Sequence, residues 1–218
     1  MKFKDPWGWS KLDVFHQCPR KFHYQFMKKL PTGSSPAMER GAKLHEVCEC
    51  YVRGWVNELP EELTFWKDAL DRLRAIGAAP EQSWGFDKDW NLLKDWFQPS
   101  TWLRAKSDTY YEDPTDGLVV IDYKSGKYKI PPDGQKKLYA LCAYHARGKP
   151  KFVTAEYWFL DQNTTHSVVY TEAELLVFQE EFEQDAAQLY AEEQWQTAPS
   201  MECRWCPFSR SKGGPCEY

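Results

Sequence analysis

The chain has 218 residues, 42% of them hydrophobic, a length that suits one α/β domain with a sizeable core. It contains no run of about 18 apolar residues, which excludes a transmembrane helix. The formal net charge is −4, but residues 172–196 hold eight acidic and no basic side chains, so the remainder carries +4. Five lysines are concentrated in residues 124–137, and this asymmetry is compatible with a phosphate-binding surface on an acidic protein.

Helical periodicity, capping residues and turn residues divide the chain into alternating elements. Ser10 caps a first helix, which the Cys18-Pro19 pair interrupts, and residues 113–117 form the turn of a hairpin. This order is typical of an α/β or α+β fold with a mixed sheet. In chain order the predicted elements are helices over about 10–16, 20–27, 37–55 and 61–76, strands over about 101–112 and 117–124, a helix over about 135–146, strands over about 152–160 and 166–171, and an acidic helix over 172–196.

The segment GLVVIDYKSGK, residues 117–127, is an apolar run that ends in charge. Asp122 and Lys124 are two residues apart in a predicted strand, so they share a face. Asp108 lies seven residues before Thr115 and Asp122 lies seven after it, so a turn centred there places the two aspartates opposite each other. Opposed like charges destabilise a hairpin, and a hard divalent cation between the carboxylates removes the repulsion. Two solvent-facing aspartates near a turn are the alternative interpretation.

This hairpin resembles the active-site hairpin of the PD-(D/E)XK nuclease superfamily, in which an acid is followed by acid-x-Lys at the end of a core strand. Four further segments resemble motifs of RecB-like nucleases, in the expected order. The segment WSKLDVFHQCPRKFHYQF (9–26) resembles their opening segment, and ERGAKLHEVCECY (39–51) resembles their G-x-x-x-H helix. The segment GQKKLYALCAY (134–144) resembles their Q-x-x-x-Y helix, and CRWCPFSRSKGGPC (203–216) resembles their terminal cysteine cluster. These nucleases include CRISPR-associated adaptation nucleases and related phage exonucleases. The resemblance covers nearly the whole chain.

The resemblance implies a site for Mg²⁺ or Mn²⁺ and a role for each matching residue. Lys124 would stabilise the attacking hydroxide and the developing charge. Gln135 and Tyr139, one helical turn apart, would orient this lysine and contact the DNA backbone. Glu81, in APEQSWGF, matches an upstream glutamate that some relatives use near the metal. The implied catalytic residues are Asp108, Asp122, Lys124, Gln135 and Tyr139, and the implied metal ligands are His45, Asp108, Asp122 and the main-chain carbonyl of Tyr123, with Glu81 as a further candidate.

Cysteines at the two ends of the chain form a second candidate site. Cys203 and Cys206 have C-x-x-C spacing and Cys216 follows, but three ligands leave a tetrahedral site one short. The resemblance supplies Cys18 as the fourth ligand and implies a 4Fe-4S cluster that staples the termini together. Zinc is the alternative, because four cysteines suit both groups.

Taken together, the resemblance implies a metal-dependent DNA exonuclease with a restriction-endonuclease-like α/β core that acts in recombination, repair or phage DNA processing. We expect a single nuclease domain over residues 1–218, with residues 1–30 and 197–218 forming the iron–sulfur subdomain. The expected substrate is DNA, single-stranded or with free ends, and the candidate partners are a helicase, a recombinase or an integrase. We expect a cytoplasmic protein that is not secreted, because the N-terminus lacks the apolar segment of a signal peptide. The alternatives are a non-catalytic DNA-binding protein of the same fold and a CRISPR-adaptation partner that trims DNA ends.

Overall fold

The computed structural model describes residues 2–115, 117–127 and 133–218. Asp116 of the predicted turn, Lys129 of the lysine-rich segment and the two prolines at 131–132 lie outside the described residues. No helix of the described residues is long and apolar enough to cross a membrane.

The chain divides into two compact units. One unit comprises Met1–Ser35 and Glu181–Tyr218, and it includes both segments of the predicted iron–sulfur subdomain. The other comprises Pro36–Glu180 and includes every residue of the predicted nuclease site.

Within the described residues, five strands form one mixed sheet in the order β1-β2-β3-β4-β5. Neighbouring strands are antiparallel except β3 and β4, which are parallel because a helix connects them. The first strand was not among the predicted elements, since Pro80 and Gly85 are residue types that are depleted in strands. The strands are β1 (Ala79–Phe86), β2 (Leu103–Asp113), β3 (Gly117–Lys124), β4 (Phe152–Phe159) and β5 (Thr164–Thr171).

The helices agree with the predicted positions and differ at their ends. The first helix begins at Trp9 after the N-cap residue Gly8, so the prediction that Ser10 caps it is wrong. The segment predicted as a helix over 61–76 begins as a 3₁₀-helix, Glu61–Trp66, and the acidic helix ends at Ala191 rather than 196. The aromatic segment after Cys18 contains a short α-helix followed by a π-helix, His23–Met27. The α-helices are α1 (Trp9–Gln17), α2 (Pro19–Phe22), α3 (Pro36–Val52), α4 (Lys67–Ala75), α5 (Gly134–Ala146) and α6 (Glu172–Ala191).

Strand β3 lies in the middle of the sheet and is buried along nearly its whole length. Its residues Val119, Ile121 and Tyr123 belong to an apolar core that includes buried side chains of α3 and α4. Side chains alternate along a strand, so Asp122 points to the opposite face, where Gln135 of α5 contacts it. The burial of β3 therefore places an acid at the end of a core strand, between the sheet and α5.

In the unit that contains both termini, the N-terminal helices pack against the segment that follows α6. Phe22 and Trp195 stack with their ring centroids 5.4 Å apart. Arg20 donates a side-chain hydrogen bond of 2.6 Å to the Trp195 carbonyl and a main-chain hydrogen bond of 3.1 Å to the Gln196 carbonyl. These contacts hold chain segments together that are about 175 positions apart in the sequence.

Candidate active site

The register of the β2–β3 hairpin brings the two predicted acids together. Thr109 pairs with Ile121 at the end of the paired part of the hairpin, and Asp108 and Asp122 are the next residues on the two strands. The turn is therefore centred at Thr115, as the spacing of the two aspartates predicted. Two carboxylates then lie at the same level of adjacent strands, where like charges repel each other.

Asp122 is a buried carboxylate, with only 7% of its surface exposed. Its Oδ1 accepts a 3.0 Å hydrogen bond from Gln135 Nε2, and its Oδ2 lies 2.5 Å from Lys124 Nζ. Burial, followed by the negative charge of Asp108, raises the pKa of Asp122 to about 6, and Lys124 only partly offsets this. The site thus holds a negative charge that the folded protein disfavours.

Asp108 connects the hairpin to helix α3. Its Oδ2 accepts a 2.6 Å hydrogen bond from the Tyr123 main-chain N–H, and its Oδ1 lies 3.2 Å from His45 Nδ1. Burial lowers the pKa of His45, but the hydrogen bond with Asp108 and the Asp108 charge together outweigh burial and raise it. The imidazole and the two carboxylates therefore belong to one electrostatic cluster.

Helix α5 holds the lysine of the site through a glutamine. Lys124 Nζ donates a 2.7 Å hydrogen bond to Gln135 Oε1, and the same glutamine donates from Nε2 to Asp122 and, at 3.1 Å, to the Tyr139 hydroxyl. Gln135 and Tyr139 meet because residues four positions apart share a helix face. The ammonium of Lys124 also lies 4.8 Å from the ring centroid of Tyr157 in β4. These contacts restrict the position of the lysine from three sides.

A glycine in α3 allows the helix to approach the end of β3 closely. A Cβ atom at Gly41 would lie 2.6 Å from the Oγ of Ser125, the residue that follows Lys124. A larger residue at position 41, one turn before His45 on α3, would force the Ser125 side chain out of its position. This contact gives a physical reason for the glycine of the G-x-x-x-H segment.

Two residues that support this region were not singled out from the sequence. Arg40 donates to both carboxylate oxygens of Asp161, at 3.0 and 2.6 Å, and Asp161 also accepts a hydrogen bond from the Gly126 main chain. This bidentate pair fixes the chain directly after Lys124. The position of Arg40 directly before Gly41 could have drawn attention to this arginine. Its partner Asp161 could not be identified in this way, because it is 121 positions away in the sequence.

Glu81 occupies an unusual position in β1. The β1–β2 register places it opposite Asp108, between the pairs Pro80–Thr109 and Gln82–Ser107. Its backbone has φ +55°, in the left-handed region that non-glycine residues rarely adopt, and such strain often accompanies functional sites. Its carboxylate contacts the ammonium of Lys106. The structure thus brings Glu81 to the level of the acidic cluster, but with its charge paired to a lysine.

The donor set fits a divalent cation chemically. Carboxylate oxygens are the ligands that Mg²⁺ and Mn²⁺ prefer, and a cation would offset both the burial of Asp122 and the negative charge of Asp108 beside it, which together raise the pKa of Asp122. Among residues 2–115, 117–127 and 133–218, however, no three His, Cys, Asp or Glu side chains are arranged as a ready metal site. In this cluster Lys124 and His45 lie against the carboxylate oxygens instead.

The four predicted cluster cysteines line one pocket in the unit that contains both termini, and none of them forms a disulfide. Two backbone N–H groups point at their sulfur atoms: Ala198 N lies 3.5 Å from Cys18 Sγ, and Ser200 N lies 3.4 Å from Cys203 Sγ. Such hydrogen bonds are typical of the surroundings of metal-bound sulfur atoms. The described residues bring the cysteines to a common pocket without a closed coordination sphere.

Comparisons with known proteins identify a family and a similar fold. The model of the PD-(D/E)XK nuclease superfamily matches residues 6–211. A solved structure titled "Crystal structure of SSO0001" is similar in fold, with a TM-score of 0.56 and 14% sequence identity over 100% of this chain and 88% of that one. No curated protein matches the sequence.

Proposed function

Because the chain belongs to the PD-(D/E)XK nuclease superfamily, we propose that it is a Mg²⁺- or Mn²⁺-dependent deoxyribonuclease that degrades DNA from an end. The observation that carries the proposal is the cluster of His45, Asp108, Asp122 and Lys124 at the end of β3. Two carboxylates face each other across a hairpin, and burial with mutual repulsion raises the pKa of one of them. A lysine lies beside them, held by a glutamine.

The side chains of this cluster have distinct roles in the proposed reaction. The ion would be held by His45, Asp108, Asp122 and the main-chain carbonyl of Tyr123, and when bound it supplies an activated water for attack on the phosphodiester. Lys124 places a positive charge where negative charge develops on the phosphoryl oxygens. The carboxylate of Glu81, opposite Asp108, would join the ligand set after release from Lys106.

Gln135 orients the reacting groups. By accepting from Lys124 and donating to Asp122, it holds the ammonium and the carboxylate in fixed positions. In these positions the ammonium would serve the phosphate and the carboxylate would serve as a ligand of the ion. The Tyr139 hydroxyl accepts the second Nε2 hydrogen bond and fixes the amide in the orientation that both contacts require. The α5 surface around this pair would contact the DNA backbone.

The four cysteines would hold a 4Fe-4S cluster, with Zn²⁺ as the alternative occupant of the same site. Their common pocket and the N–H groups directed at Cys18 and Cys203 support a metal-bound state. The cluster would link two ends of the chain within one unit. Brown colour and iron content after anaerobic purification separate it from zinc.

The biological setting is part of the proposal. A cytoplasmic exonuclease of this kind serves recombination, repair or phage DNA processing, together with a helicase or a recombinase. A non-catalytic DNA-binding protein of the same fold is the alternative, and it would require an incomplete set of catalytic residues. A CRISPR-adaptation role in trimming DNA ends would be indicated by co-purification with an integrase.

The decisive experiment is digestion of DNA of equal sequence in three forms: end-labelled linear, single-stranded and closed circular. Each is incubated with Mg²⁺, with Mn²⁺ and with EDTA. We expect metal-dependent loss of the linear forms, with the circle intact. Lys124→Ala, purified identically, controls for contaminating nucleases. Cleavage in EDTA or inactivity with both metals would contradict the proposed chemistry, and cleavage of the circle would contradict the end requirement.

A further inference from the structure

The connection between β1 and β2, residues 87–102, presents an aromatic side chain to solvent on a well-anchored backbone. Phe97 is 70% exposed, although its ring is large and apolar. The connection is anchored to β1 by 2.8 Å hydrogen bonds from Leu93 N–H to the Gly85 carbonyl and from Trp102 N–H to the Phe86 carbonyl. Phe97 N–H itself donates to the Asp95 carboxylate at 2.9 Å. Single exposed apolar side chains are common on protein surfaces, so the groups that lie beside this ring decide whether it belongs to a binding surface.

Gly85 allows this connection to lie directly on the strand. A Cβ atom at Gly85 would be 2.7 Å from the Cα of Trp96, which leaves no room for any other residue. Gly85 is the register partner of Arg104 in β2, so the backbone of Trp96 lies over this strand pair and carries Phe97 with it. The aromatic pair is therefore positioned by the sheet.

Arg104 completes the surface. Its Nε donates a 2.8 Å hydrogen bond to the Trp96 carbonyl, and its guanidinium carbon lies 5.0 Å from the Phe97 ring centroid and 5.8 Å from that of Trp96. A guanidinium held by a backbone carbonyl against two rings forms a rigid platform of π-faces and positive charge. We call Trp96, Phe97 and Arg104 the aromatic platform.

The aromatic platform is continuous with the acidic cluster along β2. From Leu103 to Asp108 burial alternates, and the less buried positions are Arg104, Lys106 and Asp108, which consequently share a face. Arg104 and Asp108 are four positions apart on the strand, a distance of about 14 Å at roughly 3.4 Å per residue.

We propose that the aromatic platform stacks an unpaired base of the DNA strand that is cut at the acidic cluster. Every base has a π-face, so an aromatic ring backed by a guanidinium binds single strands without reading their sequence. A paired base inside a duplex is covered on both faces by its neighbours and cannot stack there. The inference rests on the proposed nuclease function and deepens it, because it makes a single-stranded segment near the scissile phosphate the preferred substrate.

The test compares binding in the Lys124→Ala background, so that the strands stay intact. Fluorescence anisotropy with Mg²⁺ present measures the Kd for an oligothymidylate of about 15 nucleotides and for a blunt duplex of the same length. We expect Phe97→Ala to weaken single-strand binding about tenfold and to change duplex binding less than twofold. Phe97→Trp, which keeps an aromatic ring, should have the single-strand affinity of the protein with Phe97. Phe65→Ala, which removes an exposed aromatic on the 3₁₀-helix before α4, is the matched control.

An abasic scan then locates the contact. A single abasic nucleotide is placed at each position of the oligothymidylate in turn. At one position it should weaken binding to the protein that retains Phe97 about as much as Phe97→Ala does. At that position it should not further weaken binding to the Phe97→Ala variant. The inference would be overturned if Phe97→Ala weakened binding to single strand and duplex equally, or if it weakened single-strand binding no more than Phe65→Ala does. It would also be overturned if the protein did not bind the single strand, or if the abasic nucleotide had the same effect at every position. Failure of the nuclease proposal is separate, since it appears as absent cleavage by the unmodified protein.

Discussion

The acidic hairpin and the cysteine pocket are both built from charged or ionisable side chains. They differ in how far apart in the sequence these side chains lie. Asp108 and Asp122 are joined by one turn and meet through strand register. Cys18 and Cys203 are 185 positions apart and meet only because the helices at the N-terminus pack with the segment after α6. The hairpin carries repulsion between like charges, whereas the pocket collects four cysteine sulfur atoms.

This difference indicates how each region should respond to substitution. A site that is held by local register keeps its shape when one functional side chain is lost, so its substitutions should affect chemistry more than folding. A site that joins distant segments contributes to the closure of a long loop, so its substitutions should affect folding first. Four substitutions test this contrast, in order of expected effect, and a pH dependence of the hairpin provides a fifth test.

The largest effect should be on catalysis in the hairpin. Lys124→Ala removes the positive charge beside Asp122 and should lower the cleavage rate by about 10³-fold or more, or about 4 kcal/mol in activation free energy. Circular dichroism and DNA binding should remain those of the folded protein. Lys67→Ala, which removes an exposed lysine on α4, is the control and should keep the wild-type rate. A Lys124→Ala enzyme that cleaves at a near wild-type rate contradicts the assignment.

The second effect should be on folding in the pocket. Cys18→Ala should remove the bound metal and lower the free energy of unfolding by about 2–4 kcal/mol, the range known for disulfides that close long loops, with roughly 4–5 as an upper limit. Metal analysis and thermal melts measure both quantities. Cys50→Ala, on α3 and outside the pocket, is the control. A colourless protein that contains one zinc ion would contradict the iron–sulfur assignment. An unchanged metal content in Cys18→Ala would contradict the assignment of the pocket as a metal site.

The third effect is intermediate and concerns the glutamine that orients the hairpin site. Gln135→Ala removes one hydrogen bond each to Lys124 and Asp122, and we expect kcat to fall about 10- to 100-fold with little change in KM. Tyr139→Phe removes only the hydroxyl that accepts from Gln135, so its effect should be smaller. A larger loss in Tyr139→Phe than in Gln135→Ala would show that the tyrosine acts by itself.

The smallest effect should be a gain of stability at the hairpin without metal. Asp122→Asn removes one of two opposed charges at nearly constant volume, and in EDTA at pH 7 it should raise the free energy of unfolding by about 0.5–2 kcal/mol. Added Mg²⁺ or Mn²⁺ should stabilise the wild type and scarcely affect the variant. Asp68→Asn, an exposed acid on α4, controls for net charge. A variant that melts lower in EDTA and responds to metal like the wild type would contradict a shared ion.

The same pair predicts a pH dependence. The pKa of Asp122 in the folded state, about 6, lies above its ordinary value of 3.8, so the folded protein binds more protons than the unfolded chain between these values. Its favourable contribution is complete below pH 3.8 and is lost as the pH rises through about 6. In EDTA, the melting temperature of the wild type should therefore fall relative to that of Asp122→Asn between pH 4 and pH 7. Parallel curves would contradict the raised pKa.

Several features of the site followed from the sequence because they depend on local geometry. The turn at Thr115 determined that Asp108 faces Asp122, since register in a hairpin follows from residue counting. The period of a strand placed Asp122 and Lys124 on one face, and the period of a helix did the same for Gln135 and Tyr139. The apolar run of β3 indicated burial of the acid that ends it.

Other features required the tertiary structure, because no local rule relates residues that are far apart in the chain. The fit of Gly41 against Ser125, the Arg40–Asp161 pair and the common pocket of the cysteines arise from packing between distant segments. Strand β1 formed against the preferences of its proline and glycine, because pairing with β2 outweighs local propensity. The pairing of β1 with β2 places Glu81 opposite Asp108 and brings the backbone of Trp96 against Gly85. The positions of the residues around the acidic cluster therefore depend on the formation of the sheet.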